Sequence, residues 1–115
     1  MPAHQILCVD DEALIRAMIA DTLEELDLES VEAESGEAAL QALEECKVAL
    51  MITDIRMGGI SGWELARRAR ARQPDLPIIY ISGFPSEGEA LADTVYLSKP
   101  FLPRDLQDAV LRSLG

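Results

Sequence analysis

Along this chain, short dense apolar runs alternate with stretches in which apolar residues recur every three or four positions. Ile6 to Val9 is the first run; it stops abruptly at Asp10 and Asp11 and reads as a buried strand. Leu14, Ile15, Met18, Ile19, Leu23 and Leu26 then recur at helical spacing and predict an amphipathic helix over about 13–26. Ser30 to Glu34 alternates, with Val31 and Ala33 on one side and Glu32 on the other, which suits a half-exposed edge strand. Alanine, leucine and glutamate dominate 36–46 and favour a second helix. Val48 to Thr53 holds the longest apolar run and predicts a central strand, which again ends in an acid, Asp54.

Ser61 and Glu64 have the spacing of a capping box and open a third helix, with Leu65, Ala66 and Ala69 inward and Pro74 at its end. Pro77 to Ile81 is the fourth strand and runs into Ser82-Gly83. Ser86 and Glu89 form a second capping-box pattern. The helix they open must be short, because Thr94 to Ser98 already reads as the fifth strand. Leu106, Ala109, Val110 and Leu114 mark a last helix, with Pro103 in its first turn. Strand and helix thus alternate five times, with no repeat or linker, as one domain over 1–115. The pattern predicts an α/β fold: a doubly wound, five-stranded parallel sheet with helices on both faces. The order 2-1-3-4-5 puts the weak second strand at an edge and the ligand site beyond the carboxyl ends of strands 1 and 3.

At that end the first strand delivers Asp10 and Asp11, the third Asp54, the fourth Ser82 and the fifth Lys99, followed by Pro100. Clustered carboxylates repel one another and call for a cation. With oxygen donors alone, that cation is expected to be Mg2+. Lys99 adds a point charge suited to a phosphate, and Ser82 a hydroxyl that can donate to a phosphoryl oxygen. Phosphoryl transfer asks mainly for positioning and charge neutralisation, and one carboxylate as nucleophile. Asp54, between the acidic pair and Ser82/Lys99, is the candidate.

Composition narrows the classes. Among 115 residues, 49% are apolar, enough for one core, yet no apolar run approaches the length of a membrane span. The early acidic pair does not fit a signal peptide, so the expected compartment is the cytoplasm. Cys8 and Cys46 match no metal spacing and read as reduced core thiols. A net charge of −11 excludes a large basic face for direct nucleic-acid binding. Arg67, Arg68, Arg70 and Arg72 read as a solvated helix face, Met57 and Trp63 as packing residues, and His4 as a surface residue without a catalytic partner.

The motifs Val9-Asp10-Asp11-Glu12, Thr53-Asp54-Ile55-Arg56-Met57, Ser82-Gly83 and Lys99-Pro100-Phe101 together resemble the receiver domains of response regulators and hybrid histidine kinases, over nearly the whole chain. The resemblance implies a flavodoxin-like, CheY-like fold with a shortened fourth helix. It also implies a phosphoacceptor switch of a two-component phosphorelay rather than an enzyme that turns over a metabolite. In that reading Asp54 accepts phosphate from a histidine kinase or histidine phosphotransfer protein. Asp10 or Asp11, or both, bind Mg2+ with Asp54 and the Arg56 backbone carbonyl. Ser82 is the switch hydroxyl, Lys99 pairs with the phosphate, Tyr96 is the switch aromatic, and the Lys99–Pro100 bond is cis. The downstream partner is an unspecified protein, with neither nucleic acid nor membrane engaged directly, and the chain is a monomer or a phosphorylation-dependent dimer.

Three departures from the family pattern stand out. Gly58 replaces the usual proline, so the Gly58-Gly59 loop is expected to be looser. The stretch from Ser82 to Lys99 is short, with Phe84-Pro85 and Gly88 leaving a turn or two for the fourth helix. Arg56 and Phe84 stand two residues beyond Asp54 and Ser82, positions that flank the phosphoryl group. Two rival classes are an Mg2+-dependent phosphohydrolase of the haloacid dehalogenase type and a non-phosphorylated pseudo-receiver. The first expects its nucleophile after strand 1 and a cap domain; the second usually lacks the aspartate or lysine present here.

Overall fold

The computed structural model describes residues 5–83 and 91–115. Five parallel strands, β1 (Gln5–Val9), β2 (Glu29–Ala33), β3 (Leu50–Asp54), β4 (Ile78–Ser82) and β5 (Thr94–Ser98), form one sheet in the order β2-β1-β3-β4-β5. That is the predicted order. Strands β3 and β4 are buried along their whole length, whereas β2 and β5 are partly exposed and lie at the edges. Burial on both faces explains why the central strands read as unbroken apolar runs rather than alternating ones.

Four helices cover the sheet among the described residues: α1 (Ala13–Glu24), α2 (Gly36–Glu45), α3 (Gly62–Arg72) and α4 (Pro103–Leu114). Successive strand residues point to opposite faces, so each strand feeds two cores. Leu7, Val9, Met51, Ile78 and Tyr80 pack with Ala39 of α2 and Leu65, Ala66 and Ala69 of α3. Ile6, Cys8, Leu50, Ile52, Ile79 and Ile81 pack with Ile19 and Leu23 of α1 and Leu106, Ala109 and Val110 of α4. The helix expected between the fourth and fifth strands, with Phe84, Pro85, Ser86, Gly88 and Glu89, lies outside the described residues, as does His4.

Several local expectations are corrected. Leu14 does not belong to the inner stripe of α1: it is 85% exposed. It stands five positions before Ile19, roughly 140° round the helix from it. Helix α1 also ends two residues earlier than predicted. Asp27 adopts φ 59°, and the amides of Asp27 and Leu28 donate to the carbonyls of Glu24 and Leu23, a Schellman-type stop. The Ser61 hydroxyl caps α3 by accepting from the Glu64 amide, but the Glu64 carboxylate turns outward to Arg67 and Arg68. Arg67, Arg68 and Arg72 are exposed as expected. Arg70 is not: half-buried, it donates to the carbonyls of Leu76, Ala92 and Asp93 and ties α3 to the entry of β5. Trp63 is buried, its ring 4.6 Å from that of Tyr80 and tilted by 56°. The Lys99–Pro100 peptide bond is cis.

Candidate functional site at the carboxyl ends of the strands

Strand register brings the predicted residues to one level. Val9 pairs with Thr53, Asp54 with Ile81 and Ser82 with Ser98, so the residues leaving β1, β3, β4 and β5 emerge side by side. The Lys99 amide donates to the Ser82 carbonyl at 2.8 Å and extends this pairing by one residue. Asp11, Glu12, Asp54, Arg56, Ser82, Gly83 and Lys99 line an open cleft of 450 Å³. Asp10 lies beneath it, fully buried; Asp54 is 6% exposed and Ser82 is buried.

Both buried carboxylates have defined partners. Asp10 Oδ1 accepts from the Glu12 amide at 2.9 Å, and Asp10 Oδ2 accepts from Lys99 Nζ at 3.0 Å. Asp54 Oδ1 accepts from the Ile55 amide at 2.8 Å, while its Oδ2 faces Lys99 Nζ at 3.5 Å. Burial raises the Asp54 carboxyl above the ordinary carboxylate range and the charge of Asp10 raises it further, against the opposing pull of Lys99 and the Ile55 amide. For Lys99, desolvation favours the neutral amine, but Asp10 and Asp54 together outweigh it and hold the ammonium above the usual lysine value. One cation thus bridges two carboxylates that would otherwise repel across the cleft floor.

The donor set fits a hard divalent cation. The carboxylate oxygens of Asp10, Asp11 and Glu12 lie within 4.8 Å of one another, and all are oxygens. Glu12 was not among the predicted ligands, although it stood in the quoted motif. Asp10 is engaged on both oxygens, by Glu12 and Lys99, whereas Asp11 and Glu12 are exposed to the cleft.

Two further features support the site and were not read from the sequence. Gly62, the first residue of α3, lies so close to β3 that an added Cβ would collide with the Asp54 carbonyl oxygen; its amide donates to the Ile55 carbonyl at 2.8 Å. Arg16 reaches from α1 to the Asp10 carbonyl. Gly59 takes φ 82°, and a Cβ there would meet the Glu37 carboxylate, so that position needs glycine, whereas Gly58 has open space around it. Tyr96 on β5 pairs in register with Tyr80 and is partly exposed. Met57 packs against the core, as expected.

The cleft lies at the switch point of an open, doubly wound sheet, where folds of this class bind their ligands, and its acids and bridging lysine suit a divalent cation and a phosphoryl group. The family model for the response regulator receiver domain matches residues 6–111, and the chain belongs to that family. It is 35% identical to the response regulator receiver protein CpdR of Brucella abortus, over 96% of each chain. It is 39% identical to the phosphate regulon transcriptional regulatory protein PhoB of Pseudomonas aeruginosa, over 100% of this chain but 55% of that one. The crystal structure of a response regulator receiver protein from Sinorhizobium medicae matches with a TM-score of 0.92 at 33% identity, covering 97% of this chain and 94% of that one. The protein is therefore a phosphoacceptor signalling switch of the two-component type, and neither the hydrolase nor the pseudo-receiver class is favoured.

Proposed function

We propose that Asp54 is the phosphoacceptor and that it takes its phosphoryl group from a phosphohistidine on a histidine kinase or phosphotransfer protein. The observation carrying this reading is the position of Lys99 Nζ, 3.0 Å from Asp10 and 3.5 Å from Asp54, on the floor of the cleft. Because Asp54 Oδ1 is held by the Ile55 amide, Oδ2 is the attacking oxygen. It forms the new O–P bond as the P–N bond to the imidazole breaks, and the imidazole nitrogen leaves with the electron pair. Lys99 then pairs with a phosphoryl oxygen, and the Ser82 hydroxyl donates to another. Tyr96 responds as the second switch residue.

Asp10, Asp11 and Asp54, with the Arg56 carbonyl, are the residues that would hold Mg2+; Glu12 stands beside them. Bound there, the cation supplies charge neutralisation for the carboxylates and for the incoming phosphoryl oxygens. The whole of 1–115 acts as one receiver, with self-catalysed transfer and dephosphorylation but no metabolite turnover. Its output is a changed surface for a protein partner, as a monomer or a phosphorylation-dependent dimer. No described helix is long and apolar enough to cross a membrane. The cytoplasm is proposed as its compartment on the free thiols of Cys8 and Cys46.

The test is mass spectrometry after incubation with Mg2+ and acetyl phosphate. One phosphate adduct is expected, absent in Asp54→Asn. No adduct with any donor would favour a pseudo-receiver, and rapid turnover of a phosphomonoester would favour a hydrolase.

A further inference from the structure

We propose that Arg16 is a positioning residue for the cation site: its guanidinium, steadied by Glu32 on β2, fixes the Asp10–Glu12 turn so that its three carboxylates converge. The inference rests on the proposed Mg2+ site, to which that turn contributes Asp10 and Asp11 with Glu12 beside them.

Arg16 is the only Lys or Arg ahead of Lys47, in an acid-rich stretch. A lone cation serving general neutralisation would stay among the exposed acids. Instead its side chain is 16% exposed, and Nη1 donates to the Asp10 backbone carbonyl at 2.7 Å. Its Nε donates to Glu32 Oε1 at 3.2 Å. The turn begins where the sheet ladder ends: the Asp10 amide makes its last bond to Ala33 on β2 at 3.2 Å. Beyond that point Asp10 Oδ1 holds the Glu12 amide, and the Glu12 carbonyl accepts from the Arg16 amide at 3.2 Å. The Arg16 side chain closes this circuit by returning from α1 to the carbonyl at the start of the turn. A planar fork that satisfies a carbonyl and a carboxylate together is a task for Arg rather than Lys.

Charge and position pull in opposite directions here, which makes the role separable. A cation beside an acidic cluster weakens its attraction for Mg2+, so deleting the charge alone would tighten binding. Loss of positioning would weaken it. Partners that orient metal ligands are worth about 10–100-fold in affinity when removed.

The experiment is calorimetric titration of the unphosphorylated protein with MgCl2, with urea midpoints recorded alongside. Arg16→Gln is expected to bind Mg2+ about tenfold more weakly. Arg16→Lys keeps the charge and is also expected to weaken binding several-fold. Glu32→Gln, on the exposed edge strand, is expected to weaken it less and serves if the Arg16 variants do not fold. Affinity unchanged or tightened in the folded variants, with wild type binding normally, overturns this role alone. A wild-type protein that binds no Mg2+ overturns the site reading and this role together.

Discussion

Lys99 sits closer to Asp10 than to Asp54, at 3.0 Å against 3.5 Å, so in the unphosphorylated protein the lysine rests chiefly on the carboxylate that is fully buried. The arrangement leaves Asp54 short of compensation, and several consequences can be measured.

Asp54→Asn is expected to stabilise the metal-free protein at pH 7, because it removes a buried carboxylate charge that faces Asp10. Burial and then Asp10 raise the Asp54 carboxyl, so the folded state takes up this proton before the unfolded state does. Stability from this group is therefore highest in acid. It declines as pH rises from the ordinary carboxylate value of about 3.9 through the raised folded value. Urea midpoints in EDTA between pH 4 and 8 should show that slope in wild type and a flatter one in the variant.

Lys99→Met should cost about 3–5 kcal/mol at neutral pH without Mg2+, because it strands two buried carboxylates. Its ammonium is held above the usual lysine value, so its contribution is complete below about pH 10.4 and fades only as pH climbs through the folded value. Adding Asp10→Asn to Lys99→Met should recover part of the loss in a double-mutant cycle; strict additivity would refute the coupling.

Gly62→Ala should lower stability by about 1–3 kcal/mol despite alanine's better helix propensity, since its Cβ would meet the Asp54 carbonyl. The displaced Asp54 should also be phosphorylated more slowly by acetyl phosphate. Gly58→Ala, with open space around it, is the control expected to leave both properties nearly unchanged.

Only Cys46 should react with a maleimide in the native state at pH 8. Burial, and then the charge of Glu32, push the Cys8 thiol up to about 12, leaving almost no thiolate. Cys46 is half-buried near the end of α2. Peptide mapping after brief labelling distinguishes the two, and fast labelling of Cys8 would contradict the buried placement.

Arg70→Ala should cost about 0.5–1.5 kcal/mol, the scale of a typical hydrogen bond, since the Leu76 carbonyl is part-buried whereas those of Ala92 and Asp93 are exposed and can turn to water. Arg68→Ala, which removes an exposed pair with Glu64, should change the urea midpoint little.

The apolar pattern by itself determined the strand and helix alternation, the burial of β3 and β4, and the order of the sheet. These follow from local periodicity and from the limits on parallel crossovers. It also located the site, because parallel strands all present their carboxyl ends on one side; Asp10, Asp54, Ser82 and Lys99 were legible as strand ends before any distance was known. Tertiary structure alone decided which of them touch. Whether Lys99 leans on Asp10 or Asp54 depends on register and on the path of the chain after β5. The reach of Arg16 to the Asp10 carbonyl, the approach of Gly62 to Asp54 and the inward turn of Arg70 join elements whose spacing no periodicity encodes. Leu14 shows the limit from the other side: five positions from Ile19 it satisfies the eye as part of a stripe, yet the geometry of the helix turns it to solvent.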